Sequence, residues 1–251
     1  MPRFFVRRDQ IGDNIVAIVG EDAHHISRSL RMAAGEHITV CDMQSTEYDC
    51  ELTGFYPDHV EARILSSRAG NTEPPYRVHL FQALTKGDKM DAVVQKSVEC
   101  GVCDITPFES ERCIVRLKGE GDASKLARWQ RIAFEAAKQS GRGIVPEVHP
   151  GEKLDAVLKR RNEFDLAIFC YEGEEERSIK AVLQAAKASF PKDRFPAIAI
   201  LIGSEGGFSK DEAARALACG WISAGLGKRI LRTETAACVA LSCLIYELEL
   251  S

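Results

Sequence analysis

Long apolar stretches and positive charge are both scarce in this sequence. No run of residues approaches the roughly eighteen apolar residues that a membrane-spanning helix needs. The 33 Lys and Arg residues are outnumbered by 37 Asp and Glu residues, which leaves a formal net charge of −4. The first absence argues against a membrane protein, and the second argues against a protein that coats nucleic acid through bulk charge. The opening MPRFFVRRDQIGD has no apolar core of signal-peptide length, so we expect a cytoplasmic protein.

Nine cysteines are present, and an odd number does not suit a disulfide framework. They sit among apolar residues, as Cys238 and Cys243 do, which is typical of reduced thiols packed in a core. One pair, Cys100 and Cys103, has the C-x-x-C spacing of metal and redox sites. A single pair without further ligands is weak evidence for a metal, and we favour a helix-to-strand turn there.

The first 70 or so residues have the composition of a small β-rich unit. Segments 37–41 and 60–64 alternate apolar and polar residues, which predicts strands, and one short helix is expected at 24–32. Segment 69–75 then combines turn-forming residues with a diproline, which cannot continue regular structure. We therefore predict a domain boundary at this segment.

From residue 76 onward the pattern changes to apolar strands that alternate with helices. Strands are predicted at 78–84, 166–170, 197–202 and 221–224, and helices at 88–99, 124–139, 176–189, 210–219 and after 233. Near-continuous apolar strands between helices predict a parallel sheet that is covered on both faces.

The strongest local motif follows the apolar strand that ends at residue 202. Gly203, Glu205, Gly206 and Gly207 lie within five residues, and Ser209 with Glu212 then forms the Ser-x-x-Glu signature of a helix start. Glycines let backbone N–H groups approach a ligand at the carboxyl end of a parallel strand. A tight turn needs only one or two glycines, so we favour a ligand-binding loop. The spacing matches neither a dinucleotide fingerprint nor a P-loop.

A second glycine-flanked loop, 225–232, precedes the last helix. It contains Lys228, Arg229 and Arg232, and the helix is expected to begin with Thr233 or Thr235 as its N-cap. Basic side chains beside a helix N-terminus favour an anion site. Basic residues on a solvated loop are the alternative, which is less natural for a cluster placed between two glycines and a helix start.

Together, the two loops resemble the signature of the SPOUT methyltransferases, and the rest of the chain narrows this resemblance to the RsmE family. Matching segments cover nearly the whole sequence: PRFF at 2–5, HHISRSLRM at 24–32, ALTKGDKMD at 83–91, KSVE at 96–99 and RIAFEAAKQSGR at 131–142. Each segment alone is modest, but their order and spacing are highly specific.

The resemblance implies an α/β fold, in which a SPOUT-type trefoil-knotted parallel sheet with helices on both faces follows a small PUA-like β-barrel. It assigns residues 1–72 to the RNA-binding barrel and residues 76–251 to the methyltransferase domain. The family uses S-adenosylmethionine to methylate N3 of a uridine in 16S rRNA, conventionally position 1498. It also implies a homodimer with the active site at the subunit interface. No metal is needed, because the sulfonium methyl group is itself an electrophile.

The resemblance further assigns residues of the site. The residues expected around S-adenosylmethionine are Tyr171, Glu172, Gly203, Glu205, Gly206, Gly207, Leu226, Gly227, Ile230, Leu231 and Arg232. We expect Arg232 to stabilise the negative charge on the uracil ring as N3 loses its proton. Glu234 or Glu205 is a candidate proton acceptor, although a glutamate at a helix start also serves to cap the helix or to hold an arginine.

Local basic patches offset the absence of bulk positive charge. The residues expected to contact RNA are Arg3, Arg7, His24, Arg28, Arg31, Lys86, Lys89, Arg131 and Arg142. Arginines interleaved with aromatic residues such as Phe4 and Phe5 are suited to hold phosphates and to stack on unpaired bases. For the lysines and the helix face around Arg131, ordinary solvated surface is the alternative that the residues alone favour.

Three competing functions remain open from the sequence. The same fold and cofactor serve methylation of a tRNA base or a ribose 2′-hydroxyl. A non-catalytic RNA-binding assembly factor is a second possibility, although the intact glycines of both loops argue against it. A nicotinamide oxidoreductase is a third, and the missing dinucleotide fingerprint weighs against it.

Overall fold

The structure is a computed structural model that describes residues 1–117 and 122–250. The chain divides into two compact units. The first consists of Met1–Glu73 with Ala137–Val145, and the second of Pro74–Ala136 with Pro146–Ser251. A linear boundary near residue 72 therefore does not describe the whole first unit, because segment 137–145 returns to it.

The first unit is built on a five-stranded sheet. Its strands are β1 (Arg3–Phe5), β2 (Ile15–Val19), β3 (His37–Cys41), β4 (Thr46–Phe55) and β5 (His59–Ala69). The order is β1-β3-β4-β5-β2, and every pairing is antiparallel except that of β1 with β3. Two register shifts between β4 and β5 bend the strands, as β-bulges do, so that the sheet curls. Its inner face is fully buried, with Val16, Ile38 and Leu52 at its centre. The predicted PUA-like fold is confirmed in this form.

The short helix of the first unit differs from the prediction. An α-helix, α1 (Gly20–His24), begins four residues before position 24 and continues as a π-helical turn at His25–Ser29. Gly20 has a φ of +67°, a conformation that glycine adopts without steric cost, and it turns the chain from β2 directly into α1. Arg31, with a φ of +52°, lies in the left-handed region that commonly follows a helix end.

The second unit alternates strands with helices as predicted. Its strands are β6 (Arg77–Ala83), β7 (Asp104–Glu109), β8 (Glu147–Val148), β9 (Glu152–Lys153), β10 (Leu166–Cys170), β11 (Ala197–Ile202) and β12 (Ile222–Ala224). Its helices are α2 (Lys89–Glu99), α3 (Asp122–Gln139, whose last residues belong to the first unit), α4 (Leu154–Lys159), α5 (Ile179–Lys187), α6 (Lys210–Ala218) and α7 (Thr233–Leu244).

All pairings in this second sheet are parallel, in the order β12-β10-β11-β6-β7-β8, and β9 pairs with β7. The expected parallel sheet flanked by helices is thus confirmed. Its strand order is consistent with the predicted knotted fold. The chain extends from β6 toward β8 on one side and then builds β11, β10 and β12 on the other. Ligands of open α/β sheets bind at the carboxyl ends of strands where the order reverses in this way.

The apolar residues of β6, β10 and β11 are almost completely buried, and α7 packs against α2 and α5. No helix in 1–117 or 122–250 is both long enough and apolar enough to span a bilayer.

Candidate functional site

A cavity of about 440 Å³ opens at the carboxyl ends of β10 and β11. Three loops line it: residues 170–174 after β10, residues 202–208 after β11, and residues 225–233 between β12 and α7. The volume lies within the usual range for a small-molecule or cofactor site.

The loop after β11 is compact because its glycines allow close backbone contacts. A Cβ on Gly203 would lie 3.2 Å from the Gly207 backbone, and Gly207 itself has a φ of +63°. The loop ends in the predicted capping box: the Glu212 N–H donates to Ser209 Oγ at 3.2 Å, and the Ser209 N–H donates to Glu212 Oε2 at 2.9 Å. This loop contributes Gly203, Ser204, Glu205, Gly207 and Phe208 to the cavity lining.

Gly225 holds the other two loops together. Its N–H donates to the Arg177 carbonyl at 2.8 Å, and its carbonyl accepts from the Ile179 N–H at 3.1 Å. A Cβ at this position would lie 2.5 Å from the Glu174 carbonyl oxygen. The two backbones are thus too close for any side chain at residue 225.

The carboxylate of Glu174 accepts hydrogen bonds that stabilise the loop after β10. The hydroxyl of Ser223 donates to its carboxylate, and the N–H groups of Glu176 and Arg177 each donate at 3.0 Å. The Ser223 hydrogen bond, with the backbone hydrogen bonds, lowers the pKa of Glu174. The sequence offered no signal for this residue, because its partners lie on another strand and in a loop.

The start of α7 corrects the predicted N-cap. Arg232, not Thr233 or Thr235, is the N-cap residue, with extended backbone and no side-chain cap. Thr233 is the first helical residue, and its buried hydroxyl donates to the Gly203 carbonyl at 2.6 Å and accepts from Gln82 Nε2 at 2.9 Å. The hydroxyl therefore joins the last helix to the glycine loop. The Arg232 side chain remains exposed and lines the cavity.

Neither candidate proton acceptor is placed as a free base at the cavity. Glu205 lines it, but its Oε1 accepts from Lys89 Nζ at 2.8 Å and from the Lys86 N–H at 3.1 Å. Burial alone would raise the pKa of Glu205, but these hydrogen bonds outweigh it and lower the pKa. Glu234 does not line the cavity, and its buried Oε2 has no hydrogen-bond partner among the described residues.

The structure brings the predicted cofactor residues together. With the exception of Gly206, all of them line the cavity. Gly206 instead contacts a segment that sequence reasoning missed, since Arg112 Nη1 donates to its carbonyl at 2.8 Å. The other lining residues, which were not predicted as cofactor contacts, are Lys89, Cys170, Glu174, Ile202, Ser204, Phe208, Gly225, Lys228, Arg229, Thr233 and Ala236. Several of these residues lie inside the two glycine motifs, so their position in the sequence could have predicted them as lining residues.

The predicted RNA contacts of the first unit fall into two groups. Arg7, His24, Arg28 and Arg31 are exposed. Arg3 is mostly buried and pairs with Glu47 at 2.8 Å.

Arg142 is a correction, because its side chain is buried inside the first unit. The residue is only 4% exposed, and its Nη2 lies 2.5 Å from Glu73 Oε2. Since Glu73 and Arg142 are 69 residues apart, the sequence shows no sign of this pair. A guanidinium buried against a carboxylate does not reach RNA phosphates, so the role of Arg142 is structural. In the second unit, Lys86 and Arg131 are exposed, whereas Lys89 is engaged with Glu205.

Comparison with known proteins agrees with this architecture. The model of the RNA methyltransferase domain family matches residues 72–245, and the model of the RNA methyltransferase PUA domain matches residues 18–65. These matches define the class: an RNA methyltransferase domain that follows a PUA domain.

Relatives that match nearly the full length of this chain identify a narrower family within this class. The ribosomal RNA small subunit methyltransferase E of Bacillus subtilis is 35% identical, over 100% of this chain and 98% of its own. The crystal structure of the Neisseria gonorrhoeae protein of that name, bound to S-adenosyl methionine, has a TM-score of 0.82 and 33% identity, covering 98% of this chain and 97% of that one. A Legionella pneumophila structure, in complex with the bound cofactor SAM, has a TM-score of 0.80 and 32% identity, with coverage of 97% and 96%. The chain belongs to the ribosomal RNA small subunit methyltransferase E family, which is the RsmE family that the sequence motifs indicate.

Proposed function

We propose that this protein transfers the methyl group of S-adenosylmethionine to N3 of a specific uridine in 16S rRNA, conventionally position 1498. The observation that carries the proposal is the cavity formed by three loops at the carboxyl ends of β10 and β11, with the Arg232 side chain at its lining. Membership of the family and the cofactor-bound relative from N. gonorrhoeae support the same assignment.

The cavity suits the cofactor chemically. Gly203, Gly207 and Gly225 sit where a Cβ would meet neighbouring backbone or side-chain atoms, so the ligand would meet mainly backbone groups. Leu226, Ile230 and Leu231 are apolar residues of the opposite wall and are suited to cover an adenine ring. When bound, S-adenosylmethionine supplies an electrophilic methyl group, and the role of the protein is to position the two reactants.

Arg232 is the residue to which we assign the charge-stabilising role. Uracil N3 is a poor nucleophile until its proton leaves, and the ring then carries negative charge on its oxygens. A guanidinium at the lining of the cavity stabilises that charge as it develops. Glu205 is committed to Lys89, so we assign it a role in holding the loop after β11 rather than in accepting the proton.

RNA binding is assigned to the exposed basic residues of the first unit, together with Lys86 and Arg131 of the second. We also propose that the protein is cytoplasmic and that it works as a homodimer, which the family resemblance implies. The large exposed apolar side chains near the cavity and the carboxyl terminus, Ile230, Tyr246 and Leu250, support a second copy that covers them.

The test incubates the purified protein and radiolabelled S-adenosylmethionine with small ribosomal subunits that lack the modification, beside free 16S rRNA and tRNA. Label on N3 of the predicted uridine is the expected result. Label on tRNA or on a ribose oxygen would replace the proposed substrate with another RNA. Absence of both transfer and cofactor binding would make the protein a binding factor.

Reversing the charge of the RNA surface should weaken binding of the ribosomal subunit. In the double variant Arg28→Glu and Arg31→Glu, we expect KM for the subunit to rise about tenfold or more, because two phosphate contacts become repulsive. The dissociation constant of S-adenosylmethionine should not change, since both residues lie in the first unit. Arg63→Glu is the matched control, because Arg63 is exposed in the same unit and pairs with Glu51. An unchanged KM in the double variant would remove these arginines from the RNA surface.

A further inference from the structure

Three side chains with metal-binding atoms meet at the amino ends of β6 and β7. His79 and Asp104 are direct neighbours across the two strands, and His79 Nδ1 lies 2.7 Å from Asp104 Oδ2. Cys103 precedes Asp104, and one ligand atom from each of the three residues lies within 4.8 Å of the others. All three residues are half-buried.

This cluster lies at the end of the sheet opposite the cavity. His79 is the third residue of β6, whereas the cavity lies beyond the carboxyl ends of β10 and β11. The cluster shares no residue with the cavity lining, so the methyl-transfer site does not account for it.

The surroundings fix the backbone of the cluster and supply a fourth candidate ligand. The Cys103 N–H donates to the Val78 carbonyl at 2.8 Å, and the His149 N–H donates to the Ile105 carbonyl at 2.8 Å. These bonds hold His149 beside β7, with its Nε2 3.8 Å from Asp104 Oδ2. The ring of Phe164 packs 5.1 Å from that of His79 and provides an apolar neighbour.

The structure separates the two cysteines of the C-x-x-C motif. Cys100 is the C-cap residue of α2, whereas Cys103 lies with His79 and Asp104. The two cysteines of the motif therefore have different neighbours. Cys103 therefore lies beside residues of β6 and β7, and Cys100 is not part of the cluster.

We propose that His79, Cys103 and Asp104 form a binding site for a zinc-like divalent cation, with His149 or water as the fourth ligand. Thiolate, imidazole and carboxylate are the ligands that zinc prefers, and structural sites are tetrahedral. Two ligands on one zinc ion lie roughly 3.3–3.7 Å apart, as follows from zinc bonds of about 2.0–2.3 Å. The His79–Asp104 pair must therefore open by about 0.6 Å from 2.7 Å, and a pair at the upper bound of 4.8 Å would need to close by about 1 Å.

Binding of the cation releases protons from its ligands. The Cys103 thiol releases its proton to solvent as the bond from Sγ to the metal forms. His79 would bind the metal through the Nδ1 lone pair. A proton on Nδ1, where it donates to Asp104 Oδ2, must therefore move to Nε2 or to solvent before the bond from Nδ1 to the metal forms. Arg77 Nη2 lies 3.7 Å from Cys103 Sγ, so the sulfur has a polar neighbour on β6.

The experiment uses Co²⁺ as the optical probe of the full-length protein after treatment with a chelator. We expect one equivalent of Co²⁺ to give tetrahedral d–d bands and a thiolate-to-cobalt charge-transfer band, and Zn²⁺ to displace it. Cys103→Ser should abolish the charge-transfer band, and Asp104→Asn should lower Co²⁺ affinity about tenfold or more. Cys219→Ser is the matched control, because Cys219 is exposed and lies outside the cluster.

Two results would contradict the proposed metal site. One is the absence of stoichiometric Co²⁺ binding in the wild-type protein, and the other is a charge-transfer band that persists in Cys103→Ser. The circular dichroism spectrum checks that each variant is folded, and Asp104→Asn keeps the shape of the native side chain. If Cys103→Ser does not fold, the loss of Co²⁺ affinity in folded Asp104→Asn decides the matter, and unchanged affinity there contradicts the proposal.

Discussion

Replacement of Arg232 by Ala should lower the turnover of methyl transfer about 10²–10³-fold, the usual loss when one charge-stabilising group is removed from a transition state. The dissociation constant of S-adenosylmethionine should stay within about twofold of the wild-type value. The reason is that negative charge develops on the uracil only in the transition state, whereas the cofactor is held mainly by backbone groups of the glycine loops. Single-turnover methylation at saturating cofactor, together with calorimetric titration of the cofactor, separates the two quantities.

Arg229→Ala is the matched control for this substitution. Arg229 lies in the same loop, lines the same cavity and carries the same charge, but it is not the N-cap residue of α7. We expect a smaller loss of turnover from it. Equal turnover of Arg232→Ala and the wild-type protein would remove Arg232 from the chemistry. Equal losses in the two variants would show that the cavity needs only a diffuse positive charge.

Gly225→Ala should lower the affinity for S-adenosylmethionine at least about tenfold, which corresponds to about 1.4 kcal/mol. The new methyl group would lie 2.5 Å from the carbonyl oxygen of Glu174, and a backbone atom cannot rotate away as a side chain can. The loop after β10 or the loop before α7 must therefore shift, and both line the cavity. Overpacking of this kind typically costs about 1–3 kcal/mol of folding free energy, which urea unfolding would measure.

The control for the glycine substitution is Gly12→Ala. Gly12 also has an ordinary φ, and a Cβ there would meet only the Ile15 carbonyl, at a normal contact distance of 3.4 Å. Wild-type cofactor affinity and stability are expected for it. If Gly225→Ala kept full affinity, the wall formed by residues 225–232 would not be part of the cofactor site.

The sequence predicted the second unit better than the first. Strands β10 and β11 are uniformly apolar, a pattern typical of a buried parallel sheet. Strands β7, β8 and β9 contain charged residues and were not predicted. The glycine loops were equally visible, because only glycine tolerates the close approaches at residues 203 and 225. Strand β4 was missed, because the sequence TEYDCELTGF contains many charged and polar residues along its length.

Errors at individual residues share one physical cause. Arg142 and Thr233 both occur in motifs that suggest an exposed position, yet each is buried by a partner distant in sequence. The partner of Arg142 is Glu73, and the partners of Thr233 are Gly203 and Gln82. Local sequence patterns indicate which face of a helix or strand is apolar. They do not indicate which polar groups distant in sequence form hydrogen bonds or ion pairs in the folded chain.

The first unit includes segment 137–145, which is distant in sequence from its other residues. Its Gly143 carbonyl accepts from the Ser45 N–H at 3.1 Å, and its own N–H donates to Glu73 at 2.9 Å. A gene fragment that ends near codon 72 would encode a sheet without these partners. The unit is therefore not a module that recombination at one linker could transfer to another protein. It depends on segment 137–145, so residues 1–72 alone would not contain the whole unit.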